Sequence, residues 1–271
     1  MNENGQVRRL YIQGDANVSQ LRGVVKIFFF RRSLLRHMVM VYLVIGTVLF
    51  MHSPQSAQAQ TKVVVIDPGH GGVDGGASGA GLIEKDVTLD LSKRIRAHLV
   101  QAGYQVQMTR DTDTDVSKLF PSKLSGRHKR DLQNRLDFIR KSQAVGALMI
   151  HINSSTNVND RGPIVFYYAP SESGKTLATN IQHALNQVAS STQRPLPRKN
   201  FFVLRHSPCT TVLIEVGFLT NNSDAARLRT TVYREHVARA IAMSVATTLR
   251  DVPVPPPYVK KTVVNDWLLD K

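Results

Sequence analysis

The sequence predicts an α/β domain over residues 61–250, built on a largely parallel or mixed sheet. Three observations predict it. Short apolar, often β-branched runs read as strands. Between them lie longer stretches whose apolar residues recur at helical spacing. Polar, chemistry-bearing side chains stand at the ends of those runs, where open α/β sheets gather their sites.

The elements follow in order. Thr61–Asp67 (TKVVVID) is a β-branched strand, and PGHGG after it is a tight loop. Glu84–Gly103 carries Val87, Leu89, Leu91, Ile95 and Leu99, mostly at helical spacing, and stops at Gly103. Tyr104–Thr109 is a short strand. Residues 128–143 place Leu132, Leu136 and Ile139 on one helical face. Gly146–His151 (GALMIH) is a buried type of strand, Ile164–Tyr168 (IVFYY) another, and Thr176–Ala189 a helix. Phe201–Leu204 and Thr211–Glu215 read as short strands. Thr231–Leu249 is a last helix, with Val237, Ile241, Val245 and Leu249 four apart. No internal repeat is present.

Composition narrows the function. The chain has 271 residues, 42% of them hydrophobic, which excludes wholesale disorder. One cysteine, Cys209, excludes an internal disulfide and any multi-cysteine zinc or iron–sulfur site. Nine histidines leave a histidine–carboxylate metal site open. The net charge of +15 suggests a polyanionic partner, whether nucleic acid, membrane surface or wall polymer. That charge is uneven. Residues 1–60 carry +5, residues 61–116 carry −2, and residues 117–271 carry +12.

Residues 1–60 read as an export segment. Arg31, Arg32 and Arg36 precede an uncharged apolar run, residues 38–51, and Ala57-Gln58-Ala59 fits a small-x-small cleavage pattern. At about 1.5 Å per residue the run is short for a bilayer core of about 30 Å. Three readings stay open: a cleaved signal, an uncleaved anchor, or a buried helix of a cytosolic protein. For the first two, the basic flank keeps the N-terminus inside and places later residues outside. Residues 251–271 form a Pro-rich linker and tail.

His70 follows the first strand, Glu84 opens the first helix, His151 ends the third strand and Glu215 ends the last. His70, Glu84 and His151 offer a His–Glu–His set. Catalytic zinc takes three protein ligands and leaves the fourth position to water. A hydrolytic site also needs a carboxylate to move the water's proton. Glu215, at the end of the apolar run VLIE, suits that task. Taken singly, each residue has an ordinary role. A strand-end histidine is often a hydrogen-bonded structural group, and a glutamate at a helix start favours the macrodipole. The glycines of GHGGVDGG allow close backbone approach to a ligand.

Longer segments decide between these readings. VVVIDPGHGGVDGGASGAGLIEKDVTLDLSKRI, QVQMTRDTD, LQNRLDFI, ALMIHINSS, RGPIVFYY and VLIEVGFLTNNSDAARL occur in that order. Together they resemble the zinc-dependent N-acetylmuramoyl-L-alanine amidases (type 3), over residues 61–250. The resemblance implies a single α/β domain with a central six-stranded, mostly parallel or mixed sheet flanked by helices. It implies one Zn²⁺ and cleavage of the amide between the lactyl group of muramic acid and L-alanine in peptidoglycan. By position, His70, Glu84 and His151 would hold zinc and Glu215 would be catalytic. Arg135 of LQNRL and Asn153 of HIN would have supporting roles.

Some departures are informative. HINSS stands where the family often has HANA or HVNA, which alters the rim near Asn153. The stretch from Ile152 to Gly162 is too short for the long autoinhibitory helix of some relatives, so an unblocked site is expected. One catalytic domain behind a signal or anchor, with the basic stretch SKLFPSKLSGRHKRDLQNRL, resembles the sporulation branch. That branch acts on spore cortex and, with a peptidoglycan deacetylase, helps make muramic-δ-lactam. The implied partners are peptidoglycan, the deacetylase and, for an uncleaved segment, the cytoplasmic membrane. The implied place is outside that membrane, in wall or cortex, secreted or anchored.

Rival readings fit less well. Ala169–Thr176 (APSESGKT) follows a strand and opens a helix, as a phosphate loop does, but its first position is Ala. Ser171–Thr176 reads instead as a helix-capping turn. Gly69-x-Gly71 is followed three residues on by Asp74, so the dinucleotide fingerprint fails. A non-catalytic wall-binding or activator protein would need a broken ligand set, and all four residues are present. Nucleic acid is the least expected partner of an exported domain without a recognised binding motif. The basic residues 117–130 read as a solvated loop ahead of a binding surface.

Overall fold

The computed structural model describes residues 35–43 and 61–256. The chain divides into two compact units, Met1–Ala59 and Gln60–Lys271. In the first, residues 35–43 are helical (α1) and exposed. Among the described residues no helix is long and apolar enough to cross a membrane. The rest of the apolar run 38–51, the Ala57–Ala59 pattern and the tail beyond residue 256 lie outside the described residues.

The second unit is a single α/β domain. Its strands are β1 (Val63–Pro68), β2 (Ser78–Gly79), β3 (Leu82–Ile83), β4 (Gln105–Met108), β5 (Gly146–Asn153), β6 (Ile164–Tyr168), β7 (Leu196–Arg198) and β8 (Thr210–Phe218). Its helices are α2 (Glu84–Gln101), α3 (Arg127–Ser142), α4 (Glu172–Ala189), α5 (Phe202–His206), α6 (Asn222–Arg229) and α7 (Thr231–Thr248). Six strands form one sheet in the order β4-β1-β5-β8-β6-β7, while β2 and β3 make a separate two-stranded hairpin. All neighbours in the sheet are parallel except β6 with β8. The sheet is therefore mixed.

Strand alternation sorts the core into two layers. Val64, Ile66, Leu148, Ile150, Val212 and Ile214 face one side, with Leu91 and Ile95 of α2, Leu177 and Ile181 of α4, and Ile241 and Val245 of α7. Val65, Ala147, Met149, Phe166 and Leu213 face the other, covered by Leu136 and Ile139 of α3 and Phe202–Leu204 of α5. The largest fully buried side chains are Ile and Leu of β1, β5 and β8 and of the helices α2, α3 and α4 that cover the two faces of the sheet, so apolar burial holds the layers together.

Most expected elements form, with shifts at their ends. α4 starts at Glu172, four residues earlier than expected, because Ser171 caps it by accepting the Gly174 amide at 3.0 Å. That is the capping turn read from Ser171–Thr176. β5 and β8 run on past His151 and Glu215, with a register irregularity between His151 and Asn153. Phe201–Leu204 is not a strand. Phe202–His206 is a short helix, and the parallel edge slot beside β6 belongs to Leu196–Arg198. A four-residue apolar run does not distinguish the two forms, and the helix buries Phe202, Val203 and Leu204 together. Residues 117–130 are not one solvated loop. Val116–Lys118 is a 3₁₀ turn with Val116 and Ser117 buried, and α3 begins at Arg127.

Candidate active site

The site forms at the carboxyl ends of β1, β5 and β8. Alternation puts Asp67, His151 and Glu215 on the α3 face, in line with Val65, Met149 and Leu213. His151 and Glu215 are direct partners across β5 and β8. His70 sits in the loop after β1, and Glu84 is the first residue of α2.

His70, Glu84 and His151 converge. Glu84 Oε1 lies 3.0 Å from His70 Nε2 and 3.1 Å from His151 Nδ1. It also accepts the Ile152 amide at 3.0 Å, while Oε2 accepts the Ala77 amide at 2.8 Å. The two imidazole rings stand edge to face, with centroids 5.1 Å apart. One ligand atom from each residue lies within 4.8 Å of the others. Donors at 2.0–2.1 Å from a tetrahedral ion stand about 3.3 Å apart. The donor types and the separations both suit Zn²⁺.

The electrostatics follow from this packing. Burial alone would raise the Glu84 pKa, but hydrogen bonds from His151 and His70 hold it well below the usual carboxylate range. Burial opposes charge on His70, yet Glu84 and Asp74 outweigh it and raise its pKa. Glu215 behaves oppositely. Burial pushes its pKa up to about 7, opposed by His151 and reinforced by the Glu84 charge. Its Oε2 is buried without a hydrogen-bond partner. Such an orphaned carboxylate beside three gathered donors suits a group that exchanges protons with a ligand.

The loop carrying His70 is held from two sides. His70 has a left-handed backbone, φ 60°, rare for a residue with a side chain. Arg135 of α3 donates to the His70 carbonyl at 2.9 Å and the Pro68 carbonyl at 2.9 Å. It also pairs with Asp67 at 2.5 Å and Asp131 at 2.7 Å, fully buried. Arg110, just after β4, donates to the Pro68, Gly69 and Lys85 carbonyls at 3.1, 2.8 and 2.8 Å. Asp74 Oδ1 lies 3.2 Å from His70 Nδ1, and its Oδ2 accepts from Arg127 at 3.1 Å.

Two glycines of the first loop make room for the site's own side chains. A Cβ on Gly69 would come within 2.5 Å of the His151 ring, and one on Gly76 within 2.6 Å of Glu84 and His70. Sequence reasoning expected those glycines to admit a ligand. It placed Arg135 near the site without its buried acids, and it missed Asp74 and Arg110. Asp74, four residues after His70 in a glycine-rich loop, was the available signal. Asn153 closes β5 and accepts the Ser154 amide at 2.8 Å; it does not join the His–Glu–His group. Residues 154–161 form a short loop pinned by Asp160, which accepts from Ser155 at 2.6 Å and Asn157 at 2.9 Å.

The chain belongs to the N-acetylmuramoyl-L-alanine amidase family, whose sequence model matches residues 64–247. It is an enzyme of that class, a hydrolase of the bacterial cell wall. It is 36% identical over 189 residues to the germination-specific N-acetylmuramoyl-L-alanine amidase of Bacillus subtilis, covering 69% of this chain and 80% of that protein. It is 33% identical over 207 residues to the amidase LytC of the same organism, covering 74% of this chain but only 39% of LytC. Among solved structures, the CwlD amidase of Clostridioides difficile, in complex with the GerS lipoprotein, matches with a TM-score of 0.65 at 29% identity, covering 70% of this chain and 99% of that one. The amidase AmiC2 of Nostoc punctiforme matches with a TM-score of 0.59 at 35% identity, covering 70% and 97%.

Proposed function

We propose that this chain is an exported, zinc-dependent amidase that hydrolyses the bond between the lactyl group of muramic acid and L-alanine in peptidoglycan. Residues 1–60 serve export as a cleaved signal or an outward-facing anchor, residues 61–250 are catalytic, and residues 251–271 are a tail. The observation that carries the reading is the His70–Glu84–His151 triangle, with the orphaned carboxylate of Glu215 paired across the strands from His151.

His70 through Nε2, His151 through Nδ1 and Glu84 through Oε1 would hold the ion. When bound, zinc supplies a Lewis acid for the amide carbonyl and makes water a better nucleophile near neutral pH. Glu215 takes the proton from the attacking water and passes it to the departing α-amine of L-alanine. A pKa near 7 suits both transfers. Asp74 fixes the proton of His70 on Nδ1 and leaves Nε2 as the donor atom. Arg135 and Arg110 hold the loop carbonyls and so set where His70 points.

The relation to a germination-specific amidase supports spore cortex as the substrate. In that setting the product would pass to a deacetylase and then close to muramic-δ-lactam.

The test is mass spectrometry of muropeptides after incubation with the purified protein, with and without chelator. Free peptide stems that vanish on zinc removal and return on its addition are expected. Glycan-chain or cross-link cleavage would overturn the reading.

A further inference from the structure

We infer that Lys85 and Asp113 form a positioning clasp on the His70 loop, and that this clasp sets how fast the site releases its metal. The inference rests on the zinc reading above. It goes further by giving a role to two residues outside the ligand set.

The loop cannot stiffen itself. Residues 69–76 read GHGGVDGG, so five of the eight are glycine. Glycine loses more backbone freedom on ordering than any other residue. A metal ligand on such a loop needs outside fastening to stay within about 0.5 Å of its place. On the buried side Arg135, Arg110 and Thr88 take the carbonyls of Pro68, Gly69 and His70. Those fasteners stop at His70 itself.

Beyond it, the clasp takes over. Gly72 donates its amide to Asp113 Oδ1 at 2.7 Å, and its carbonyl accepts from Lys85 Nζ at 2.9 Å. Lys85 Nζ closes the ring on Asp113 Oδ2 at 2.7 Å. The two halves of one ion pair thus hold both backbone groups of one glycine. The fit is close. Gly72 has φ 59°, and a Cβ there would meet the Asp115 amide nitrogen at 2.8 Å. A Cβ on Gly71 would strike the Thr114 carbonyl.

Position gives the pair its leverage. Lys85 directly follows Glu84, and Gly72 lies two residues after His70. The clasp therefore ties the segment of one ligand to the segment of another. Lys85 is itself fastened from behind. Its amide donates to the Gly75 carbonyl at 3.1 Å, and its carbonyl accepts from Arg110 at 2.8 Å. An exposed ion pair adds little to the stability of a whole domain. Here the same small energy acts on one short loop, whose opening would part His70 from Glu84. The Asp113 side chain is 48% exposed, so dissolved ions reach the pair and screen it.

The test loads the full chain with zinc and follows release of the ion to an excess of chromophoric chelator. Asp113→Ala and Lys85→Met are each expected to speed release about tenfold, the scale of lost support around a metal ligand. The double variant should be no faster than either single one, because each single change already opens the ring. Asp113→Asn keeps an acceptor for the Gly72 amide and should fall between. Added salt should speed release from the wild-type protein more than from the double variant. Exchanging the pair, Lys85→Asp with Asp113→Lys, restores opposite charges but sets an ammonium against the Gly72 amide. Wild-type release should therefore not return. Urea midpoints of the chelated proteins should stay near wild type. Wild-type release rates in both single variants would overturn the inference, as would recovery in the exchanged protein or a collapse of the urea midpoint. A wild-type chain that holds no zinc would sink the metal reading, and this one with it.

Discussion

His151 and Glu215 are paired in register on adjacent central strands, and both fall on the α3 face of the sheet. The backbone ladder thus sets a metal-ligand candidate beside a proton-carrier candidate without any loop between them. Glu215→Gln should lower kcat by at least about a hundredfold, as loss of a general base does. Zinc content, read by elemental analysis, should stay at the wild-type level. A variant retaining near-wild-type turnover would refute the assigned role.

The same residue predicts an opposite effect on stability. Burial raises the Glu215 pKa from 4.5 to about 7 in the folded chain. The unfolded chain therefore loses this proton first as pH rises. Stability from the neutral carboxyl is full below pH 4.5 and is lost as pH climbs through about 7. In chelated protein, Glu215→Gln should raise the unfolding free energy above pH 7 by up to about 3 kcal/mol. The gain should vanish near pH 4. Urea titrations at the two pH values measure it. With zinc bound, the ion's charge favours the carboxylate, so the acid limb of kcat/KM should fall below pH 7.

Asp74 should matter through His70. Asp74→Asn keeps the size of the side chain but loses the charge 3.2 Å from His70 Nδ1. Zinc affinity, measured by competition with a chromophoric chelator, should fall about 10- to 100-fold. His70→Ala should abolish stoichiometric zinc binding. If Asp74→Asn bound zinc as tightly as wild type, its positioning role would be wrong.

Arg135→Ala should be costly to the fold. It would leave Asp67 and Asp131 buried without their cation and release the carbonyls of Pro68 and His70. A loss of about 3–5 kcal/mol is expected from denaturant unfolding. A loss under about 1 kcal/mol would mean that these acids find other partners.

Gly69→Ala tests the close approach to His151. The added methyl would meet the imidazole at 2.5 Å, so the ring must turn. We expect at least a tenfold fall in kcat/KM and a weaker zinc site. Far-ultraviolet circular dichroism should be unchanged.

Some of this design is written plainly in the residues. Near-continuous apolar runs in VVVID, GALMI and TVLIE mark the central strands, because both faces of each are buried and the runs are β-branched or aliphatic. α2 and α7 announce themselves by fourfold spacing. Phe202–His206 was illegible because a short apolar run has no period to read. Leu196–Arg198 was missed because an edge strand containing Pro197 shows little alternation. At the site, His70, Glu84, His151 and Glu215 stand out by type at element ends, and the long motif segments separate them from ordinary structural groups. Their convergence depends on strand order, which no local pattern encodes. Arg110 and Asp74 escaped notice because their partners are backbone carbonyls and a histidine whose loop path is set by tertiary contacts.

The place of β5 and β8 at the centre of the sheet has a consequence for how this site can fail. Amides of residues 148–150 and 212–214 lie in fully buried ladders between other strands, so they exchange with solvent only when the domain opens as a whole. His151 and Glu215 ride on those ladders, whereas His70 rides on a surface loop. Hydrogen exchange should therefore resolve two tiers of protection within one site, slow on the strands and fast around residues 70–76. Local breathing can release the His70 side, while the His151–Glu215 pair persists until cooperative unfolding.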